Sequence, residues 1–222
     1  MEAYKTQFLE LALELGVLRF GEFELKSGRI SPYFFNAGLF NTGYAATRLG
    51  RCYASAITEL DIDFDMIFGP AYKGIGLAHL AAASLAEHHD INVPFAFNRK
   101  EVKDHGEGGA CVGAPVTGRV LILDDVITAG TAVREVINII STTGGEPAGV
   151  LVALDREEIG VRSRVSAVRE LETSLGIPVR CIVSLTDLVD HLEKDEKFDE
   201  HLASVRAYRN RYGVTLEDVR SA

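Results

Sequence analysis

The sequence predicts an α/β fold in which a mainly parallel central sheet is flanked by helices. Short apolar runs typical of buried strands alternate along the chain with segments that have the apolar period of amphipathic helices. Most of these apolar runs are followed at once by a glycine-rich, acidic or basic loop. Because parallel strands end at the same edge of a sheet, we expect these loops to form one ligand site there.

The composition excludes several classes of protein. The chain has 222 residues, 47% of them hydrophobic, which suits one large domain. Its formal net charge of −9 argues against a general nucleic-acid surface, which would need a basic face. The apolar segments are too short to span a membrane, and the N-terminus lacks the pattern of a signal peptide. Cys52, Cys111 and Cys181 are far apart and without metal-ligand spacing, so we expect reduced thiols in the cytoplasm.

The N-terminal segment combines a helix with a basic and aromatic stretch. Residues 3–15 have the period of an amphipathic helix that Gly16 ends. The stretch 23–36 begins with the alternation of a strand, turns at Ser27-Gly28 and ends in an aromatic run. Such a mixture suits a flat anionic ligand, and the alternative is an exposed hairpin. A second helix is predicted from Gly43 to about Leu60.

Two loops that follow short strands have the composition of anion sites. After the strand 65–68, the segment 69–76 is rich in glycine and carries Lys73, ahead of a helix that runs to about His88. It matches neither common nucleotide-binding glycine motif, and it could equally be a tight turn. After the strand 93–97, the segment 98–109 gathers cations and glycines, which indicates a mobile lid or an ordinary solvated loop.

The strongest pattern lies at residues 119–131. A buried strand over 120–123 leads to Asp124 and Asp125, then to a small-residue loop and a helix with apolar residues spaced for one face. The unpaired N–H groups at a helix start suit a phosphate, whereas carboxylates accept hydrogen bonds from sugar hydroxyls or hold a metal. This predicts a sugar-phosphate site. The alternatives are an ordinary strand–turn–helix, in which two acids followed by such a loop are uncommon, and a phospho-receiver domain, which explains neither the lid nor the small-residue loop.

The remainder of the chain supplies two more strands. Gly144-Gly145 breaks the helix, a strand runs over 150–154, and Arg156 follows it in a position to reach a ligand or to pair with Glu157 or Glu158. A helix over about 162–175 and a strand over 179–185 are predicted next. The tail from Thr186 is charged and has a helical pattern, which predicts a peripheral cover.

These residues resemble a known family. The run from Asp124 to Thr131 resembles the phosphoribosyl-diphosphate (PRPP) motif of type I phosphoribosyltransferases. The segments 24–28, 32–36, 69–74 and 98–108 resemble the orotate phosphoribosyltransferase family of the bacterial type. The resemblance implies the type I phosphoribosyltransferase fold, with an N-terminal hood for base recognition at 1–40, a core at 41–185 and a C-terminal helical cover at 186–222. It also implies that orotate and PRPP react to give orotidine 5′-monophosphate and pyrophosphate in pyrimidine synthesis.

The resemblance also implies residue roles. PRPP is expected to contact Lys26, Tyr72, Lys73, Arg99, Lys100, Lys103, His105, Asp124, Asp125, Val126, Ile127, Thr128, Ala129, Gly130, Thr131 and Ala132. Orotate is expected to contact Lys26, Phe34, Phe35, Thr128 and Arg156. Lys103 is the expected catalytic side chain, and Asp125 is a second candidate.

The same resemblance implies a cofactor and a partner. Mg²⁺ is expected to arrive with PRPP, with Asp124 or Asp125 as its nearest protein ligand. A homodimer is expected in which Arg99, Lys103 and His105 reach the partner's site, with no nucleic acid or membrane involved. The alternatives are a phosphoribosyltransferase for another base and a PRPP-sensing regulator on the same fold.

Overall fold

A six-stranded sheet and a separate hairpin form the β-structure of the described residues. The computed structural model describes residues 1–103, 109–127, 130–160 and 165–214, with the backbone alone at 101–103 and 109. The hairpin pairs β1 (Leu18–Glu24) with β2 (Ile30–Phe35), and the sheet consists of β3 (Met66–Gly69), β4 (Phe95–Lys103), β5 (Gly109–Gly113), β6 (Gly118–Val126), β7 (Gly145–Asp155) and β8 (Val179–Ser184). The order across the sheet is β5-β4-β3-β6-β7-β8, and only β5 is antiparallel to its neighbour. The predicted mainly parallel sheet is therefore confirmed.

Helices cover both faces of this sheet. They are α1 (Ala3–Glu14), α2 (Gly43–Thr58), α3 (Lys73–His89), α4 (Thr131–Thr143), α5 (Ala167–Leu175), α6 (Leu185–Leu192) and α7 (Asp199–Tyr212). Successive side chains of β6 point to opposite faces of the sheet and belong to two hydrophobic core clusters. Leu121 and Leu123 lie in the cluster that includes α1, α2, α3, α6 and α7, while Val120 and Ile122 lie in the cluster that includes α4 and α5. No helix in the described ranges has the length and apolar character needed to cross a membrane.

The strand order places a crevice between β3 and β6. The chain leaves β3 through α3 and reaches β4 on one side, whereas it leaves β6 through α4 and reaches β7 on the other side. Neighbouring strands whose connections diverge in this way leave an open crevice at their carboxyl ends, which is where α/β sheets bind ligands. The fold thus brings the loop after β3 and the loop after β6 to one place.

Several boundaries differ from the sequence prediction. The segment predicted as a lid begins as strand, because β4 continues to Lys103 and pairs with β5, which was not predicted. Residues 104–108 of that segment lie outside the described residues. The strand predicted at 150–154 already begins at Gly145, immediately after Gly144 ends α4 with a φ of 101°. The strand predicted to reach Leu185 ends at Ser184, because Ser184 and Asp187 form a capping box that starts α6.

Two helices also start at other residues than predicted, α5 later and α3 earlier. Helix α5 begins at Ala167 rather than near 162, since the Ser166 hydroxyl accepts a hydrogen bond from the Arg169 backbone N–H. Residues 161–164 are outside the described part of the chain. Helix α3 begins at Lys73, so the predicted loop 69–76 shortens to a three-residue turn.

Candidate active site

Helices α3 and α4 present open N-termini at the crevice. No side chain among the described residues caps either helix, and neither first turn carries an acid. By contrast, Thr42, Ser166 and Ser184 cap α2, α5 and α6 through their hydroxyls. An uncapped N-terminus has free N–H groups and the positive end of the helix dipole. Two uncapped helix N-termini that follow neighbouring strands suit a ligand with phosphates at two positions.

Glycines permit both helices to start so close to the sheet. A Cβ on Gly69 would lie 2.0 Å from the Gly74 carbonyl oxygen, and a Cβ on Gly74 would lie 2.8 Å from the Leu123 carbonyl oxygen. Gly130 precedes α4 with a φ of 69°, a backbone conformation that residues with a Cβ rarely adopt. A Cβ there would also lie 2.8 Å from a methyl group of Leu171. Thr131 and Ala132 form the first turn of α4 and are exposed.

The acid pair of β6 lies between these helix starts. Asp125 is 7% exposed and pairs with Lys73 Nζ, the first residue of α3. The Asp124 carboxylate accepts a hydrogen bond from the Asp125 N–H at 2.9 Å. The backbone oxygen of Asp124 accepts a hydrogen bond of 2.8 Å from the buried Tyr53 hydroxyl. The predicted association of the Gly-rich loop with the acid-ended strand is therefore present as a direct contact between Lys73 and Asp125.

The acid pair has unusual electrostatics. Burial raises the pKa of Asp124 to about 6, although the hydrogen bond from the Asp125 N–H opposes this shift. Burial likewise raises the pKa of Asp155, at the end of the neighbouring β7, to about 6. Buried carboxylates whose ionised form is disfavoured in this way are typical of sites that bind a cation or hydroxyl groups.

The turn after β3 is tied to the lid strand. Asn98 of β4 accepts a hydrogen bond of 2.8 Å from the Ala71 N–H. The Lys100 Nζ lies 5.5 Å from the centre of the Tyr72 ring, and the Tyr72 side chain is 73% exposed. The expected pyrophosphate residues Tyr72 and Lys73 are thus beside Lys100, while Arg99 is half-buried on the same strand.

Arg156 connects the end of β7 to the hairpin. Its Nε donates to Glu158 Oε1 at 2.7 Å, and its Nη2 donates to Ser31 Oγ at 2.9 Å. Its guanidinium carbon lies 4.1 Å from the centre of the Tyr33 ring, a cation–π distance. The pairing with Glu158 was one of the two alternatives that the sequence left open for Arg156.

The remaining hairpin residues are less closely tied to the crevice. Phe34 stacks on Phe23, and Phe35 packs against Phe8 and Phe40, so both rings serve the hydrophobic packing. Both residues also pair with β1 in the hairpin. Lys26 lies exposed in the turn between β1 and β2.

A cavity of about 170 Å³ extends from the hairpin side to the acid pair. Its lining includes Gly38, Phe40, Tyr53, Lys73 and Asp125. The cavity therefore joins the chain that follows β2 to the start of α3.

Some expected site residues cannot be placed. His105, Thr128 and Ala129 lie outside the described residues, and only the backbone of Lys103 is described. Val126 and Ile127 pack against the two core clusters. Within the described ranges no group of three or more His, Cys, Asp or Glu side chains is arranged for a metal ion. Mg²⁺ commonly binds through one or two carboxylates together with substrate phosphates, and Asp124 and Asp125 fit that role.

Sequence reasoning missed the residues that support the site. Tyr53, Asn98 and Ser31 contact expected site residues but have no recognisable local signal. Tyr53 looked like one more apolar position of α2, and Ser31 is a single small polar residue beside an aromatic run.

Comparison with known proteins identifies relatives along almost the whole chain. Residues 41–183 match the phosphoribosyl transferase domain family. The chain is 60% identical to orotate phosphoribosyltransferase of Thioalkalivibrio sulfidiphilus and 58% identical to that of Photobacterium profundum, in each case over 96% of this chain and 100% of the relative. The crystal structure of orotate phosphoribosyltransferase from Francisella tularensis is 42% identical and superposes with a TM-score of 0.83, covering 93% of this chain and 98% of that one.

Proposed function

The chain belongs to the orotate phosphoribosyltransferase family, and from this premise we propose how its residues bind and join the two substrates. The enzyme is a pentosyltransferase that moves the 5-phosphoribosyl group of PRPP to orotate and releases pyrophosphate. We assign the open N-terminus of α4 to the 5′-phosphate and the turn before α3 to the diphosphate. We assign the surroundings of Arg156 to orotate.

One observation carries the assignment of the PRPP site. Lys73, the first residue of α3, pairs with Asp125 near the end of β6, the strand that leads to α4, so the start of α3 contacts the strand that precedes the second uncapped helix. PRPP has phosphates at both ends of a ribose, so it needs two anion sites with hydroxyl acceptors between them. Asp124 and Asp125 supply those acceptors, and Gly130 lets the 5′-phosphate approach the backbone of α4.

The orotate assignment follows from charge. Orotate has a carboxylate that a guanidinium can bind, and Arg156 lies between the hairpin and the end of β7. The backbone at Phe34 and Phe35 and the side chains of Lys26 and Thr128 complete the proposed base site. A base without a carboxylate would gain nothing from Arg156, which favours orotate over uracil, adenine or hypoxanthine.

The chemistry needs charge stabilisation more than proton transfer. The ring nitrogen of orotate attacks C1 of the ribose as the bond from C1 to the diphosphate oxygen breaks, and the proton of that nitrogen leaves with the diphosphate. Positive charge therefore develops on the sugar and negative charge on the leaving diphosphate. Asp125 stabilises the first, and Lys73, Lys100, Arg99, Lys103 and His105 stabilise the second. Mg²⁺ bound to the diphosphate adds Lewis-acid stabilisation of the leaving group. Closure of the lid excludes water, which would otherwise capture the sugar cation.

We further propose a homodimer with composite sites. Arg99, Lys103 and His105 would act on the site of the partner subunit, and in support of this Arg99 and Lys103 lie on β4, the strand next to the edge strand β5. The three free cysteines support a reducing compartment, and we propose the cytoplasm. The boundaries of a hood at 1–40 and a cover at 186–222 are part of the same proposal.

The test of function is a direct assay. Protein, Mg²⁺, PRPP and orotate are mixed, and the loss of orotate absorbance is followed, with uracil, adenine and hypoxanthine as competing bases. We expect turnover of orotate alone, reversed by added pyrophosphate. Turnover of another base in preference to orotate would contradict the assignment of Arg156. Absence of turnover together with tight binding of RNA or DNA in a gel shift would favour a regulator.

A further inference from the structure

We propose that Glu158 is a positioning residue for orotate, because it sets the orientation of the Arg156 guanidinium. The proposal rests on the assignment of Arg156 to the orotate carboxylate. In this proposal Glu158 does not itself touch substrate. The contacts between the end of β7, the hairpin and α7 serve to hold Arg156 in one orientation.

Arg156 is held on three sides. Glu158 Oε1 accepts from its Nε at 2.7 Å, Ser31 Oγ accepts from its Nη2 at 2.9 Å, and the Tyr33 ring lies under the guanidinium at 4.1 Å. A guanidinium is planar, so two hydrogen bonds and one stacking contact fix both its position and its plane. Among the described residues these bonds use Nε and Nη2, which leaves Nη1 to meet a substrate carboxylate.

The two acceptors are themselves fixed. Ser31 is fully buried, and its hydroxyl donates to the Tyr33 backbone oxygen at 2.7 Å, so its proton is committed there and its oxygen accepts from Arg156 and, at 3.4 Å, from the Tyr33 N–H. The Glu158 side chain is 13% exposed and also lies 3.6 Å from Arg29 Nη1. Arg29 in turn donates to the Ile159 backbone oxygen at 2.9 Å and stacks on the Tyr212 ring at 4.9 Å.

The backbone around Glu158 is anchored by the C-terminal helices. The Ile159 N–H donates to the Tyr212 backbone oxygen at 2.8 Å, and the Val214 N–H donates to the Glu157 backbone oxygen at 2.8 Å. Glu157 Oε2 accepts from the N–H and the hydroxyl of Thr186, at 2.7 Å and 2.6 Å, in the first turn of α6. The predicted cover therefore does more than shield the sheet, since it holds the segment that orients Arg156.

Charge and orientation make opposite demands on Glu158. Arg29, Glu158 and Arg156 together carry a net charge of about +1 at neutral pH, so the glutamate weakens the positive field that a carboxylate substrate meets. If the field alone mattered, loss of the Glu158 charge would tighten orotate binding. If orientation matters, moving the carboxylate without changing its charge weakens binding. Two conservative variants separate these effects.

The experiment measures KM for each substrate in Glu158→Gln, Glu158→Asp and Arg156→Met. Glu158→Gln keeps an oxygen in reach of Arg156 Nε, so we expect KM for orotate to rise less than threefold. Glu158→Asp keeps the charge but withdraws the carboxylate by one methylene, so we expect a rise of five- to tenfold. KM for PRPP should stay within twofold in both. Glu14→Ala, an exposed glutamate at the end of α1, is the matched control and should leave both values unchanged.

The outcomes distinguish this proposal from the one on which it rests. Wild-type KM for orotate in Glu158→Asp, or a decrease in Glu158→Gln, overturns positioning by Glu158. Parallel increases in the KM of both substrates would also overturn it, because they would indicate a general structural role. Unchanged KM for orotate in Arg156→Met would instead remove the assignment of Arg156 itself.

Discussion

The two sides of the proposed site are built in different ways. The side that we assign to the phosphates consists of the starts of α3 and α4, where no side chain among the described residues caps the backbone N–H groups and glycines lie close to the sheet. The side that we assign to the base centres on Arg156, whose guanidinium is held by Glu158, Ser31 and Tyr33. One side presents groups that any strand–turn–helix unit offers, and the other depends on contacts between distant segments.

The difference between the two sides corresponds to two physical tasks, binding a phosphate and orienting a planar base. A phosphate has oxygens in every direction, so backbone amides and cations can bind it from several sides. A planar base must be held at one angle for its nitrogen to meet C1 of the ribose, which calls for a fixed side chain. The following predictions test whether the two sides act independently, since each change should affect one substrate and spare the other.

The largest effect is expected from the lid. Lys103→Ala removes a cation that we assign to the leaving diphosphate, so turnover should fall about 100-fold, or on the order of 3 kcal/mol in activation free energy. KM for both substrates should change far less, because the contact forms mainly in the transition state. Steady-state kinetics at saturating PRPP provides the measurement, and Lys197→Ala, an exposed lysine far from the sheet edge, is the control. Unchanged turnover in Lys103→Ala would remove the lid mechanism.

The contrast between the two sides also explains what could be predicted from the sequence. The acid pair and Gly130 were identified because a strand, a turn and a helix start are consecutive in the chain. The parallel sheet followed from the alternation of elements. The pairing of Arg156 with Glu158 was among the alternatives, since the two residues are neighbours in the chain. The contact with Ser31 could not be predicted, because Ser31 is 125 residues away and nothing in its neighbourhood indicates which side chain it meets.

The edge of the sheet was the weakest part of the fold prediction. β5 consists of Gly109–Gly113 and pairs with a strand that carries charged residues, so neither strand has the apolar alternation that indicates burial on one face. An edge strand is defined by its hydrogen bonds to a neighbour rather than by its own composition. The strand character of 98–103 therefore had no local signal.

The second largest effect concerns the acid pair. The folded pKa of Asp124 is about 6 against an ordinary value of 3.8, so its ionised form is disfavoured in the fold. This difference corresponds to at most about 3 kcal/mol. The free energy of unfolding of the wild-type protein should fall by up to this amount as the pH rises from about 4 to 6. Above about pH 6 this carboxylate should cause no further loss. Asp124→Asn avoids the loss, so its unfolding temperature should exceed that of the wild type at pH 8 and match it near pH 4.

Thermal unfolding across pH 4 to 8 without substrate tests this prediction. Asp155 has a similar pKa and adds a change of the same sign to both proteins, so it cancels in the comparison. Asp61→Asn, at an exposed position, is the matched control for the removal of one negative charge. Asp124→Asn should also raise KM for PRPP and leave KM for orotate within twofold. A constant difference in unfolding temperature at every pH would show that burial of the Asp124 charge is not the cause.

A smaller effect is expected at the start of α4. Gly130 and Gly176 have φ values of 69° and 68°, so an alanine at either position should cost about 1–2 kcal/mol of stability. Only Gly130 lies at the proposed phosphate site, and only there would the new Cβ meet a neighbour, Leu171, at 2.8 Å. We expect Gly130→Ala to raise KM for PRPP about tenfold and Gly176→Ala to leave it unchanged. Equal KM values in the two variants would show that the backbone of Gly130 does not set the phosphate site.

The smallest effects are expected from removing the hydroxyl groups of two fully buried tyrosines, one on each side of the site. The Tyr53 hydroxyl donates to the Asp124 backbone oxygen at 2.8 Å, whereas the Tyr33 hydroxyl has no hydrogen-bond partner among the described residues. Tyr53→Phe should therefore cost about 1 kcal/mol of unfolding free energy, because it leaves a carbonyl unpaired, and should raise KM for PRPP two- to threefold.

Tyr33→Phe removes a hydroxyl without breaking a hydrogen bond within the described structure, and it keeps the ring under Arg156. We expect unchanged stability and unchanged KM for orotate. Denaturant unfolding and steady-state kinetics measure both variants. If Tyr53→Phe changed KM for orotate as much as KM for PRPP, the acid pair would belong to both sides of the site. The two substrates would then share one coupled network, and the base and phosphate sites would have to be treated as a single unit.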